Sequence, residues 1–445
     1  MRSTKYTLLA VFAVSLLLTS CSKRKNPADL ASSASGSLVF QPVFFKNTLD
    51  TVNNALIFNN LRPEPAVRRV RVYLPPGYQP RGSGRPFPTL YILHDFGVYP
   101  STIPGELASD NYFGFYQLAA LLDRLIAAGE IKPMIVVQTD LANFYGGSFY
   151  TNSTSTARFF TALDSFLVNH IDLTYNTVFG RRSRAVSGHG MGGYGALKLV
   201  LTGNDTTFGS VSALSAPLAF GDSGSGMGFQ SSFYINGLFS ESGIALGDCV
   251  RFRRDTVLFP DPRLTQKIRT NILFALGASL SPVEDTAFFK QALERGRRDS
   301  LLAALPEYFQ FSKSTRDPGF LFPITCSGTV IDSIWRQWLV HDIKTMLTDP
   351  SKAGRLDSTP LYFSCGFQDE LEMLEQNRDF LARLLTVRGA SKRASNLVGM
   401  ERDQFYYEEY SGYPGRPADH TTYISDQLVK VLKFHSQFLD TAGVP

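Results

Sequence analysis

Val70-Arg71-Val72-Tyr73-Leu74 alternates and then stops at Pro75-Pro76-Gly77, the pattern of a strand that ends in a turn. Leu90-Tyr91-Ile92-Leu93 and Met134-Ile135-Val136-Val137 are short, unbroken apolar runs, as expected of strands covered on both faces. Between them, Leu118 to Ala128 carries helical spacing and closes at Gly129, a good C-cap residue. Ala185-Val186-Ser187, Ser210 to Leu214, Leu361 to Ser364 and Phe405 to Tyr407 predict further strands, and Leu428 to Leu439 a closing helix. This order predicts an α/β fold, a mostly parallel, doubly wound sheet with helices on both faces.

From about Pro217 to Thr359 the rhythm stops. That section holds the loop Gly221-Asp222-Ser223-Gly224-Ser225-Gly226, an apolar helical stretch near Leu301, and the pair Trp335 and Trp338. Because the sheet resumes at Leu361, the section reads as a long lid-like insertion over the carboxyl end of the sheet rather than a separate domain. No internal repeat is present.

The amino end has a different character. Arg2 and Lys5 precede the apolar stretch Leu8 to Leu18, which is too short to span a bilayer comfortably. Leu18-Thr19-Ser20-Cys21 resembles a bacterial lipobox, in which the Cys becomes the lipidated first residue. The reading is a signal peptide over 1–20, a lipidated Cys21 with a flexible Ser- and Ala-rich tether over 21–37, and a body over 38–445. The expected location is the bacterial cell envelope, with the membrane as partner through Cys21. Charge agrees with this. Of 44 Lys and Arg residues, five lie in the first 25 positions, so the other 39 balance the 39 Asp and Glu residues. A neutral body disfavours nucleic acid as a partner, since that needs a basic face. Cys249, Cys326 and Cys365 then remain, allowing at most one disulfide and offering no zinc spacing. No P-loop or HExxH motif appears, and neither metal nor cofactor is expected.

The most informative segment runs Ala185-Val186-Ser187-Gly188-His189-Gly190-Met191-Gly192-Gly193. A strand feeds a glycine-rich turn that opens a helix, the setting of the G-x-S-x-G nucleophile elbow. Here the serine position holds Gly190. The same glycines also satisfy G-x-G-x-x-G. A dinucleotide site would need a carboxylate at the end of the next strand, which instead reads Leu214-Ser215-Ala216-Pro217.

Several motifs in order resemble the esterase family of α/β hydrolases, which includes esterase D (S-formylglutathione hydrolase), feruloyl esterases, enterochelin esterases and mycolyltransferases. They are Val72 to Tyr78, Leu90 to His94, Ile131 to Val137, Ser148 to Ser153, Ser187 to Gly193, Cys365 to Glu370 and Asp419-His420. The likeness covers about Val67 to Leu439 and is weakest in the insertion. It implies an α/β-hydrolase fold in which Asp369 orients His420, His420 is the general base, and the backbone N–H groups of Met191 and Phe96 are the oxyanion donors.

Two departures stand out. His94-Asp95-Phe96-Gly97 carries Asp where the family usually has Gly, which brings a carboxylate near a hole meant for an oxyanion. Gly190 has no atom that can attack a carbonyl, so no acyl-enzyme forms by the family's route. The expected function is therefore a catalytically impaired esterase homologue that binds a small-molecule or glycan ester, or an acyl ligand, in the residual cleft. The alternative is an active carboxylic-ester hydrolase with a non-standard nucleophile or a water activated by His420. Among other residues, His189 is expected to pack or hydrogen-bond, and His94, His341 and His435 to be structural or surface groups. Ser187 should be buried in the sheet and Ser223 should sit in a turn, while Ser215 stays open as a stand-in nucleophile.

Overall fold

The computed structural model describes residues 35–44, 67–97, 111–143, 145–252, 267–282, 309–310 and 320–441. Cys21, the signal segment and the stretch near Leu301 lie outside them.

Eight strands form one sheet: β1 (Ser37–Phe44), β2 (Val67–Leu74), β3 (Thr89–Leu93), β4 (Ile135–Thr139), β5 (Arg184–His189), β6 (Ser210–Leu214), β7 (Leu361–Gly366) and β8 (Phe405–Tyr410). Their order across the sheet is β1-β2-β4-β3-β5-β6-β7-β8. β2 is antiparallel to both β1 and β4, and every other pair is parallel. This is the strand order and direction of an α/β hydrolase. β3, the run without alternation, serves both faces. Leu90 and Ile92 join Leu118, Leu122, Leu125, Leu428 and Leu432 in one core cluster. Tyr91 and Leu93 join Leu197, Leu201 and Phe208 in the other. Burying each such side chain stabilises the fold by about 1.5–3 kcal/mol.

Some elements escaped the sequence pattern. β1 was not expected, and it is an edge strand whose Phe40 stays exposed. The expected last strand extends through Glu408 and Glu409 to Tyr410. The closing helix begins at Ile424 rather than Leu428, because Tyr423 enters with φ 61° and the first turn carries Ser425 and Asp426.

Among the described residues, no strand of the main sheet lies between β6 and β7. This section instead supplies the helices Ser232–Ser242, Ile268–Leu280 and Asp332–Leu339. Its two tryptophans are packing residues. They are fully buried, with Trp335 Nε1 donating to the Gly221 carbonyl (3.0 Å) and Trp338 Nε1 to Ser281 Oγ (2.9 Å). Cys249 and Cys326 form a disulfide within the section, and Cys365 is free and buried in β7. Tyr234 OH donates to the Leu371 carbonyl (2.8 Å), fixing the section to the loop after β7.

Candidate functional site

The turn between β5 and the helix Met191–Thr202 is built by its glycines. A Cβ on Gly188 would lie 2.2 Å from the Gly192 carbonyl carbon, and one on Gly192 would lie 2.1 Å from the Leu93 carbonyl oxygen. No side chain fits at either place. Gly190 sits at the apex with φ 52° and ψ −120°, and its N–H donates to the Leu214 carbonyl (2.8 Å). An L-residue is strained in this conformation, which is the geometry of a nucleophile elbow.

Asp95, at the carboxyl end of β3, reaches over this apex. Its Oδ1 accepts from the Met191 N–H (2.8 Å) and the Phe96 N–H (2.6 Å), so the carboxylate fills the pair of donors expected for an oxyanion. Its Oδ2 lies 3.1 Å from His420 Nε2 and 3.2 Å from His189 Nδ1. A Cβ added to Gly190 would fall 1.9 Å from Asp95 Oδ1. The carboxylate thus stands in the space that a serine side chain would need.

The loops after β7 and β8 bring the other expected residues together. His420 Nδ1 donates to Asp369 Oδ2 (2.8 Å), and the His420 N–H donates to Glu370 Oε2 (2.8 Å). The Gln368 N–H and the Ala418 carbonyl tie the two loops at 3.0 Å. Asp369 does two jobs, because its Oδ1 also accepts from the Leu371 N–H (3.0 Å) at the entry to the helix Met373–Arg388.

Electrostatics follow from this packing. Burial alone would raise the Asp95 carboxyl, but His189 and His420 beside it override that and hold it far below the usual range. Asp369 is likewise held low against its burial, mainly by His420. Burial works to lower His420, and the two flanking carboxylates win, raising it well above an ordinary histidine.

His189 was expected only to pack or hydrogen-bond. It does donate, from Nε2 to the His420 carbonyl (2.7 Å), yet its other nitrogen faces Asp95 inside the site. No sequence signal marks it, since its contact partners are 94 and 231 residues away in the chain. The remaining candidates lie elsewhere. His94 is buried and bonds to the Asp95 carbonyl and the Leu141 N–H. His435 is buried against Ser210 and Ser212, and His341 lies beside Lys198. Ser187 is buried and accepts from Ser212 Oγ (2.7 Å). Ser223 bonds Asp332 in an exposed turn. Ser215 is fully buried.

Beside the apex is a cavity of about 320 Å³ with mostly apolar walls. Phe96, Phe149 and Met191 line it together with Phe229 and Ile272, from the insertion, and Leu371. It opens onto Asp95, Gly190 and His420.

Strand order, elbow and loop positions define an α/β hydrolase. Residues 65–412 match the model of the family described as Putative esterase, and the chain belongs to that family. Solved structures similar to the chain include a ferulic acid esterase (15% identity, 91% of this chain and 99% of that one, TM-score 0.49). Also similar are the S-formylglutathione hydrolase of Staphylococcus aureus (14%, 90% and 99%, TM-score 0.43) and a feruloyl esterase module from Clostridium thermocellum bound to sinapinate (12%, 92% and 91%, TM-score 0.43).

Proposed function

We propose that this member of the esterase family has given up serine acyl transfer and binds an ester or acyl ligand in its cleft, as a lipoprotein on the outside of a bacterial cell membrane. The observation that carries the reading is the Asp95 carboxylate bonded to the Met191 and Phe96 N–H groups above a glycine. A substrate carbonyl would have to displace an anion held by two backbone donors, and would then meet no nucleophile. Catalytic impairment therefore rests on two residues rather than one. The apolar cavity supports an aryl or acyl group as the bound moiety over a bare carbohydrate. The Cys249–Cys326 disulfide supports export, since such bonds persist in oxidising compartments.

Calorimetry with methyl ferulate, an ester of the type suggested by the family resemblance, tests the binding reading. The ester is expected to bind without turnover, and Ile272→Asp is expected to weaken binding at least tenfold. Failure to bind methyl ferulate and acetyl or longer acyl esters would overturn the reading. So would hydrolysis that disappears in His420→Ala, which would establish the active-hydrolase alternative.

A further inference from the structure

We infer that Asp95, His189 and His420 form a binding site for a divalent cation of the zinc class. The inference does not depend on the ester-binding reading, because it uses only the polar end of the cleft.

Three potential ligand atoms converge: Asp95 Oδ2, His189 Nδ1 and His420 Nε2 all lie within 4.8 Å of one another. Asp95 Oδ2 is 3.2 Å from His189 Nδ1 and 3.1 Å from His420 Nε2. Ligand atoms at about 2.0–2.1 Å from a tetrahedral zinc ion are separated by roughly 3.3–3.4 Å. Both separations from Asp95 Oδ2 are within a few tenths of an ångström of that spacing.

The outer hydrogen bonds are the second, independent observation. His189 Nε2 faces the His420 carbonyl oxygen, which can only accept, so that nitrogen carries the proton. His420 Nδ1 faces the Asp369 carboxylate and carries its proton for the same reason. When a cation occupies the centre, the lone pair on each inner nitrogen points toward it beside Asp95 Oδ2. A histidine whose outer N–H is fixed by a carbonyl or a carboxylate is the usual support of a metal-binding imidazole. Asp95 Oδ1, held by the Met191 and Phe96 N–H groups, orients the third ligand in the same way.

Gly190 makes the arrangement possible, since any Cβ there would displace the carboxylate. Two imidazoles and one carboxylate suit zinc or a neighbouring first-row ion better than calcium or magnesium. Three protein ligands leave a fourth position for an oxygen donor, and both Asp95 and His420 border the apolar cavity.

The test uses protein treated with chelator and then dialysed free of it. Titration with Zn²⁺ by calorimetry is expected to give one equivalent of binding. Titration with Co²⁺ is expected to give the strong visible absorption of a tetrahedral nitrogen and oxygen site. Asp95→Asn and His189→Gln, each shown folded by circular dichroism, are expected to weaken Zn²⁺ binding at least tenfold and to lose the Co²⁺ spectrum. Absence of a saturable equivalent in the unsubstituted protein would overturn the inference. Unchanged binding in folded His189→Gln or folded Asp95→Asn would do so as well.

Discussion

Gly190 and Asp95 exclude any larger residue at the apex of the turn: the Cβ that Gly190 lacks would lie 1.9 Å from Asp95 Oδ1. Restoring the serine is therefore not a one-residue change. Gly190→Ser introduces a strained left-handed residue and pushes Asp95 off two backbone donors. The expected cost is about 1–3 kcal/mol from backbone strain alone, read as a lower denaturant midpoint, with no gain of esterase activity. A rise in stability on Gly190→Ser would contradict this account of the turn.

Lys198 is a buried cation on the elbow helix. Its Nζ donates to Thr151 Oγ1, lies 3.3 Å from His341 Nδ1 and sits 5.3 Å from the centre of the Tyr194 ring. Burial pushes the ammonium down to about 7. Its folded value is therefore below the unfolded one, near 10.4, and folding releases a proton in the window between them. Stability contributed through Lys198 rises with pH across that window. Between pH 7 and 9 the natural protein is expected to gain about 1–2 kcal/mol relative to Lys198→Met, measured by urea unfolding at each pH. Parallel curves for the two proteins would show that the lysine pays no burial penalty.

The disulfide joins Cys249 to Cys326 across a separation of 77 residues in the insertion. Reduction is expected to lower stability by about 2–4 kcal/mol. It should also weaken methyl ferulate binding, because Ile268 and Ile272, from the helix between the two cysteines, line the cavity. Cys249→Ser/Cys326→Ser should mimic reduction and be indifferent to reductant. In the native protein the buried Cys365 should resist iodoacetamide until the chain unfolds.

Growth in labelled palmitate is expected to yield a labelled protein, with the label lost in Cys21→Ser. Retention of label in that variant would place the lipid elsewhere. An unlabelled natural protein would remove the lipoprotein proposal altogether.

The central strands were legible because unbroken apolar runs such as Leu90 to Leu93 have few alternative folds, and the elbow because its glycines punctuate a strand–helix junction. β1 was not legible, since an edge strand with exposed Phe40 needs no strong pattern. Asp369 and His420 could be named from family motifs, yet their 2.8 Å contact spans 51 residues and no spacing rule encodes it. Asp95 showed as a departure from its motif. Which atoms it contacts depended on the loops after β5 and β8 meeting above it. His189 gave no signal, because its partners are assembled only by the fold. The insertion's pairing of Cys249 with Cys326 was one of three possible pairings in the sequence.

The central claim is that Asp95 and Gly190 together silence an otherwise intact serine-hydrolase site. Hydrolysis of p-nitrophenyl acetate, with chelator present, by the natural protein and by Asp95→Gly/Gly190→Ser measures it most directly. The natural protein is expected to show no turnover that depends on His420. The double variant should exceed it at least 100-fold, and that gain should vanish on adding His420→Ala or fall steeply with Asp369→Asn. Turnover by the natural protein that is lost in His420→Ala would contradict the claim.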